Sequence, residues 1–138
     1  MNGLQKASDE AKLYFVEANE LFHRHQTTET SRQALKLLKR SASLGYARAE
    51  YTLGLLYFQG AVDPKIPQNI ILGVKLFRAA AAQKFAPAET DLGGCYISGT
   101  GGIPIDLSLA AKCYQDAANS GYGLAQYWFN VFQWDLLF

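Results

Sequence analysis

Ala34-Leu-Lys-Leu-Leu-Lys-Arg-Ser-Ala-Ser-Leu-Gly-Tyr-Ala-Arg-Ala-Glu50 lies over Gly73-Val-Lys-Leu-Phe-Arg-Ala-Ala-Ala-Ala-Gln-Lys-Phe-Ala-Pro-Ala-Glu89 at a constant shift of 39 residues. A third copy, Ala110-Ala-Lys-Cys-Tyr-Gln-Asp-Ala-Ala-Asn-Ser-Gly-Tyr-Gly-Leu-Ala-Gln126, follows at a shift of 37, because the loop before it is two residues shorter. The register continues without a gap: Leu53-Gly54, Tyr57 and Gly60 fall on Leu92-Gly93, Tyr96 and Gly99. A fixed period of this length is the signature of a stacked array, in which one supersecondary unit is reused along a line.

Each unit contains two helical stripes. Ala34, Leu37, Leu38, Ser41 and Ala42 recur at the i, i+3, i+4, i+7, i+8 spacing of one buried helix face, and Ala49, Leu53, Leu56 and Tyr57 form a second. Gly45 breaks the first helix and Gly60 closes the second, in the manner of a left-handed C′ residue. Lys84 takes the place of Gly45 in the second unit. Thr30, Asn69 and Asp106 occupy equivalent places ahead of the first helices, and each has a side-chain oxygen able to cap a free amide; Thr30 with Gln33 matches a capping box. Upstream, Ala11, Phe15, Ala18, Leu21 and Phe22 predict a helix over about 8–25 that covers the first unit. Ala42, Ala49, Ala81, Ala88, Ala118 and Ala125 allow close helix approach, while Tyr46, Phe85 and Tyr122 are placed to wedge between successive pairs. The predicted architecture is an all-α, right-handed α-solenoid of antiparallel helix pairs in one domain. Its helix occupies 8–25 and its repeats 30–68, 69–105 and 106–138, the last with an aromatic end.

With 138 residues, 49% hydrophobic and 18% charged, the chain has enough apolar matter for a core. Its formal charge of +1 supplies no bulk attraction to nucleic acid or anionic membranes. The longest apolar runs fall far short of a membrane span, and Met1–Glu10 lacks the apolar stretch of a secretory signal. Two cysteines are too few for a disulfide scaffold and favour a reducing compartment, so a cytoplasmic protein is expected.

The run of small residue, aromatic or Leu, Ala-Ala, Gly-Tyr turn, Ala-Glu or Ala-Gln, Leu-Gly, Tyr and Gly resembles the Sel-one-like repeat, a branch of the tetratricopeptide-like solenoids. Lys112–Gln126 follows the pattern most closely, and Gly99, Gly102 and Asp106 resemble the family's inter-repeat loop. The resemblance covers roughly residues 31–133. It implies an adaptor that holds protein complexes together and brings no catalytic residues. Asn130 departs from it, standing where Gly54 and Gly93 stand, so the last helix is expected to pack differently.

Several patterns invite a functional reading. Lys36, Lys75 and Lys112 are repeat-equivalent, with Lys39 and Arg78 forming a second ladder; in a solenoid such rows align and could receive an acidic segment. A solvated helix face is the plainer account. Ser98–Asp106 is glycine-rich, yet it lacks the Lys-Ser/Thr ending of a phosphate loop and follows a helix, so it reads as a connector with Asp106 as cap. His23 and His25, two apart, point to different helix faces and make no metal pair. No nucleophile–base constellation can be assembled, and Glu50 and Glu89 are equivalent positions in separate units. Cys95 and Cys113 align with Leu56 and Leu37/Leu76 as small core residues, while the family resemblance keeps a bridge between adjacent units open.

Tyr127-Trp-Phe-Asn-Val-Phe-Gln-Trp-Asp-Leu-Leu-Phe138 is too aromatic to face one side. It either folds back over the third unit or forms a patch that another chain covers, and Trp128, Phe132 and Trp134 join the lysine rows as candidate contacts. The expected function is a non-catalytic interaction scaffold presenting a helical groove to a protein or peptide, with no cofactor, no metal, no nucleic acid and no membrane insertion. The alternatives are a structural subunit of a larger assembly, through a homodimer or larger complex at the aromatic end, and a regulatory fragment of a longer repeat protein. A hydrolase is the weakest of the readings.

Overall fold

A computed structural model describes residues 3–24 and 27–137, with the side chains of residues 4 and 132–137 outside the description. The described residues form seven α-helices: α1 (Gly3–Arg24), α2 (Thr28–Ser43), α3 (Ala47–Gln59), α4 (Ile70–Ala82), α5 (Ala86–Ser98), α6 (Leu107–Asn119) and α7 (Gly123–Leu137). They build a right-handed α-solenoid of antiparallel helix pairs with no β-strand among the described residues.

The tightest packing spans the loops between units. α3 lies on α4 and α5 on α6 more extensively than α2 lies on α3 or α4 on α5, and α1 packs on α2 in the same way. The helix preceding the first repeat therefore takes the place of a second helix from a unit before it. Glycines explain the closeness. A Cβ on Gly73 would lie 2.9 Å from the Gly54 carbonyl oxygen, 2.9 Å from Phe58 Cβ and 3.0 Å from Phe58 Cα; one on Gly54 would meet the Phe77 ring at 2.9 Å, and one on Gly93 the Tyr114 ring at 3.0 Å. Asn130, at the corresponding place in α7, is exposed and accepts from Gln126 Nε2 at 3.1 Å.

The buried stripes follow the helical spacing. Phe15, Ala18, Leu38, Ala42, Ala49 and Leu53 form one cluster, and Val74, Leu92, Cys95, Tyr96 and Ala110 a second further along the array. Burying the apolar faces contributes roughly 25 cal/mol per Å² removed from water, and each cluster draws on three or more helices, so no hairpin is complete alone. In the first helices Ser41, Ala80 and Ala117 are fully buried, whereas Ala81 and Ala118, expected at the contact, lie half-buried beside them. Ser41 Oγ donates to the Ala11 carbonyl at 2.5 Å, tying α1 to α2 inside the core. Two of the three wedges are in place: Tyr46 meets Phe15 edge-on at 5.3 Å, and Phe85 meets Tyr51 at 5.4 Å, each reaching from the start of one helix to the helix two before it.

Asn69 and Asp106 cap α4 and α6 by accepting from the amides of Leu72 and Leu109 at 3.1 and 3.0 Å. At α2 the expected cap is corrected: Thr27 is the N-cap, accepting from the Thr30 amide at 3.2 Å while Thr30 Oγ1 accepts from the Thr27 amide at 3.1 Å. The Thr-x-x-Thr spacing closes this box one turn earlier than Thr30–Gln33 would, adding helix without losing a hydrogen bond. Gly60 has the positive φ expected of a closing residue but an extended ψ of 162°, whereas Gly99 is left-handed. Lys84 takes φ +62°, matching Gly45 at +83° and Gly121 at +85°, so the turn geometry persists without glycine. Ser98–Asp106 is the expected connector: a 3-10 turn over Thr100–Gly102 sets Gly101 against Val74, and Asp106 caps α6.

Candidate functional site

α1, α3, α5 and α7 form one layer and α2, α4 and α6 the other. Between neighbouring members of the first layer run three successive grooves. The groove between α1 and α3, of about 440 Å³, is lined by Phe15, Val16 and Tyr46 and rimmed by Lys12, His23, Arg24 and Arg48, with Glu20 opposing them. Between α3 and α5, about 320 Å³ is bounded by Leu55 and Phe58 on one side and Asp91, Gly94 and Cys95 on the other, over the Phe77 ring. Between α5 and α7, about 360 Å³ is bounded by Asp91, Gly94 and Ile97 on one side and Leu124 and Trp128 on the other, over Tyr114. Phe77 and Tyr114 are repeat-equivalent, so the second layer supplies an aromatic floor to both later grooves.

The polar groups beside these grooves are held in place. Tyr51 Oη donates to Asp91 Oδ2 at 2.8 Å, and burial pushes the Asp91 carboxyl above its usual range, with the Tyr51 bond opposing the shift. Gln83 Nε2 donates both to Glu50 Oε2 at 2.9 Å and to the Gly45 carbonyl at 2.8 Å, stacking one unit's turn on the next. Ser120 stands at the place of Gln83 in the third unit. Glu89, the equivalent of Glu50, is 4% exposed, and its carboxyl is raised first by burial, then by Asp116, against the opposing charge of Lys84. Cys95 and Cys113 are free thiols beside the second core cluster; burial raises both, Cys113 to about 11. That is the chemistry of inert packing groups rather than of a nucleophile.

The lysine rows lie elsewhere. Lys36, Lys75 and Lys112 are exposed on α2, α4 and α6. Lys75 and Lys112 each precede a groove-floor aromatic by two residues, about 200° around the helix, which turns them away from the grooves. Lys39 is exposed; Arg78 is exposed as well, yet its Nη2 donates to Tyr96 Oη at 3.2 Å. Trp128, 43% exposed, belongs to the α5–α7 groove and meets Tyr127 edge-on at 5.4 Å. The side chains of Phe132 and Trp134 lie outside the described residues, as does His25. Among the described residues no group of His, Cys, Asp and Glu could hold a metal ion, and no helix is long and apolar enough to cross a membrane.

Sequence reasoning passed over Asp91 and Gly94. The available signal was a glycine pair inside a helix, Gly93-Gly94, where units one and three carry Leu55 and Val131 at the second position.

The model of the Sel1 repeat matches residues 31–46, 47–85 and 86–122, more than half of the chain. The chain belongs to the Sel1 repeat family. The family's unit boundaries fall at the Tyr46, Phe85 and Tyr122 turns, so each Sel1 unit pairs the helices that pack most extensively here, α3 with α4 and α5 with α6. Two curated relatives are a rat protein, DAP3-binding cell death enhancer 1, 34% identical over 94 residues, and the fission yeast Schizosaccharomyces pombe chitin synthase regulatory factor 4, 33% identical over 97. Each alignment covers 68% of this chain but only 17% and 14% of those longer proteins. In structure, the chain is similar to a Sel1 repeat protein of Oxalobacter formigenes, with a TM-score of 0.79 at 24% identity, over 92% of this chain and 94% of the other. Sel1 repeats are protein-interaction modules on a non-catalytic helical scaffold.

Proposed function

We propose that this protein is a non-catalytic adaptor that receives a segment of a protein partner along the grooves of the α1–α3–α5–α7 layer. The observation that carries this reading is the recurrence of a groove at each successive junction of that layer, aromatic-floored in both later cases. A repeating series of apolar-floored grooves, charged at the rim of the first and sparsely charged in the two later ones, is how an array binds an elongated ligand. The curated relatives, named as a binder of another protein and as a regulatory factor, agree with an adaptor role. A photo-crosslinking residue placed at Leu55 or Ile97, on groove rims, should capture partner proteins in cells well above the level given by Val62 or Ile71, exposed apolar positions outside the grooves. Equal capture at all four positions refutes the assignment.

The Lys36, Lys75 and Lys112 row is a second contact zone in this reading, suited to an acidic segment. Partners that bind the Lys36→Glu, Lys75→Glu, Lys112→Glu triple variant as well as the parent would remove it. A structural subunit is favoured by one observation, the exposed apolar surface of Leu124, Tyr127 and Trp128 on α7, which another chain could cover. Sedimentation separates the two: a monomer at micromolar concentration speaks against the subunit.

A further inference from the structure

Gly94 is a glycine that the packing does not require. It lies inside α5, where glycine costs about 0.8–1.0 kcal/mol relative to alanine, and the nearest atom a Cβ would meet among the described residues is Tyr114 Oη at an ordinary 3.6 Å. Its neighbour Gly93 differs, because a Cβ there would press on the Tyr114 ring at 3.0 Å. What Gly94 does instead is border both the α3–α5 and the α5–α7 grooves, where a side chain such as Leu55 or Val131 of the other units would stand between them. The helix wall separating the two grooves is thereby lowered to backbone.

One turn earlier on α5, Asp91 also borders both grooves and is the one formal charge among the described residues that line them. Units one and three carry Thr52 and Trp128 at its position. Its Oδ2 is taken by Tyr51, and Oδ1 has no hydrogen-bond partner among the described residues. A lone carboxylate, part-buried between two apolar grooves, is held at a cost that a partner's cation would relieve.

We infer that the saddle formed by Gly94 and Asp91 is the specificity point of the array, taking a segment in which a Lys or Arg is flanked by two apolar side chains. The cation bonds Asp91 as the segment crosses α5 at Gly94, and one apolar side chain enters each groove, onto Phe77 and onto Tyr114. The two apolar groups must straddle one helix, roughly 10 Å, which is the separation of i and i+3 in a polyproline II segment or of i and i+7 in a helix. This rests on the adaptor reading and deepens it.

A randomised dodecapeptide display library panned on the full chain provides the test. Selected peptides should carry Lys or Arg between apolar residues. Their synthetic counterparts should lose about tenfold or more in affinity to Asp91→Asn, the loss of one charge-assisted contact; Asn still accepts the Tyr51 bond, so the change removes charge and leaves the fold. Gly94→Leu, which restores the residue of unit one, should lose a similar factor by filling the saddle. Val62→Ala, outside the grooves, serves as the control, and thermal unfolding of each variant confirms an intact array. Selected peptides that lack a cation, or that bind Asp91→Asn and Gly94→Leu as tightly as the parent, overturn the proposal. In the second case, crosslinking at Leu55 and Ile97 still decides the adaptor reading by itself.

Discussion

Replacing Gly73 by alanine tests the packing on which the whole array rests. The new Cβ would stand 2.9 Å from the Gly54 carbonyl oxygen, 2.9 Å from Phe58 Cβ and 3.0 Å from Phe58 Cα. Carbon atoms rest at about 3.5–4.0 Å, so α3 and α4 must part by roughly 0.5 Å. Two of the three opposing atoms are backbone and cannot turn aside, and forcing a methyl into a filled core costs about 1–3 kcal/mol. Alanine returns up to about 1 kcal/mol of helix propensity, leaving a net loss of up to about 2 kcal/mol. Gly94→Ala supplies the internal comparison: it gains the same propensity with its nearest contact at 3.6 Å, and should stabilise the chain by up to about 1 kcal/mol. Urea titration of parent and both variants, with equal m-values, reads the difference directly. In thermal unfolding, Gly73→Ala should melt lower and Gly94→Ala higher, by about 3–5 °C per kcal/mol. A Gly73→Ala protein that gains stability as Gly94→Ala does would refute the close approach of α3 and α4.

Lys84→Gly should stabilise the chain by about 0.5–1 kcal/mol, since it relieves a non-glycine residue at φ +62° at some cost in unfolded-state entropy, and surrenders a surface pair with Asp116 at 3.8 Å and the smaller pull of its charge on Glu89; a lower denaturation midpoint would contradict this. Ser41→Ala removes the buried bond to the Ala11 carbonyl and should cost about 1 kcal/mol, with amide exchange accelerating in α1 before α4–α6; uniform exchange would show that α1 is not held there. For Glu89 the sign follows from burial: a carboxyl raised in the folded state binds protons more readily than in the unfolded chain, so it lowers stability as pH rises through the window between the two values. Glu89→Gln should therefore be more stable than the parent at pH 7, with the gap closing as pH falls into the ordinary carboxylate range, as measured by melting temperature against pH.

The period, the helix pairs, the caps at Asn69 and Asp106 and the core stripes were all legible in the residues, because each depends on spacing within one helix or one unit. Even the wedges Tyr46 and Phe85 could be read, since a repeat places equivalent residues at equivalent junctions. The α2 cap shifted to Thr27 because two threonines one turn apart offer the same chemistry, and the alignment of apolar residues could not choose between them.

What only the tertiary structure decided is which helices pack most closely and where the array is hollow. Periodicity gives every unit the same stripe and cannot tell whether a helix leans more on the partner across its short turn or on the one across the longer loop; the glycines at 54 and 73 settle it by steric room, which appears only when the two backbones face each other. The lysine rows stood out in the sequence because they repeat. Asp91 and Gly94 did not, because they are the positions where one unit departs from the others, and a departure acquires meaning only once two neighbouring grooves are seen to meet there.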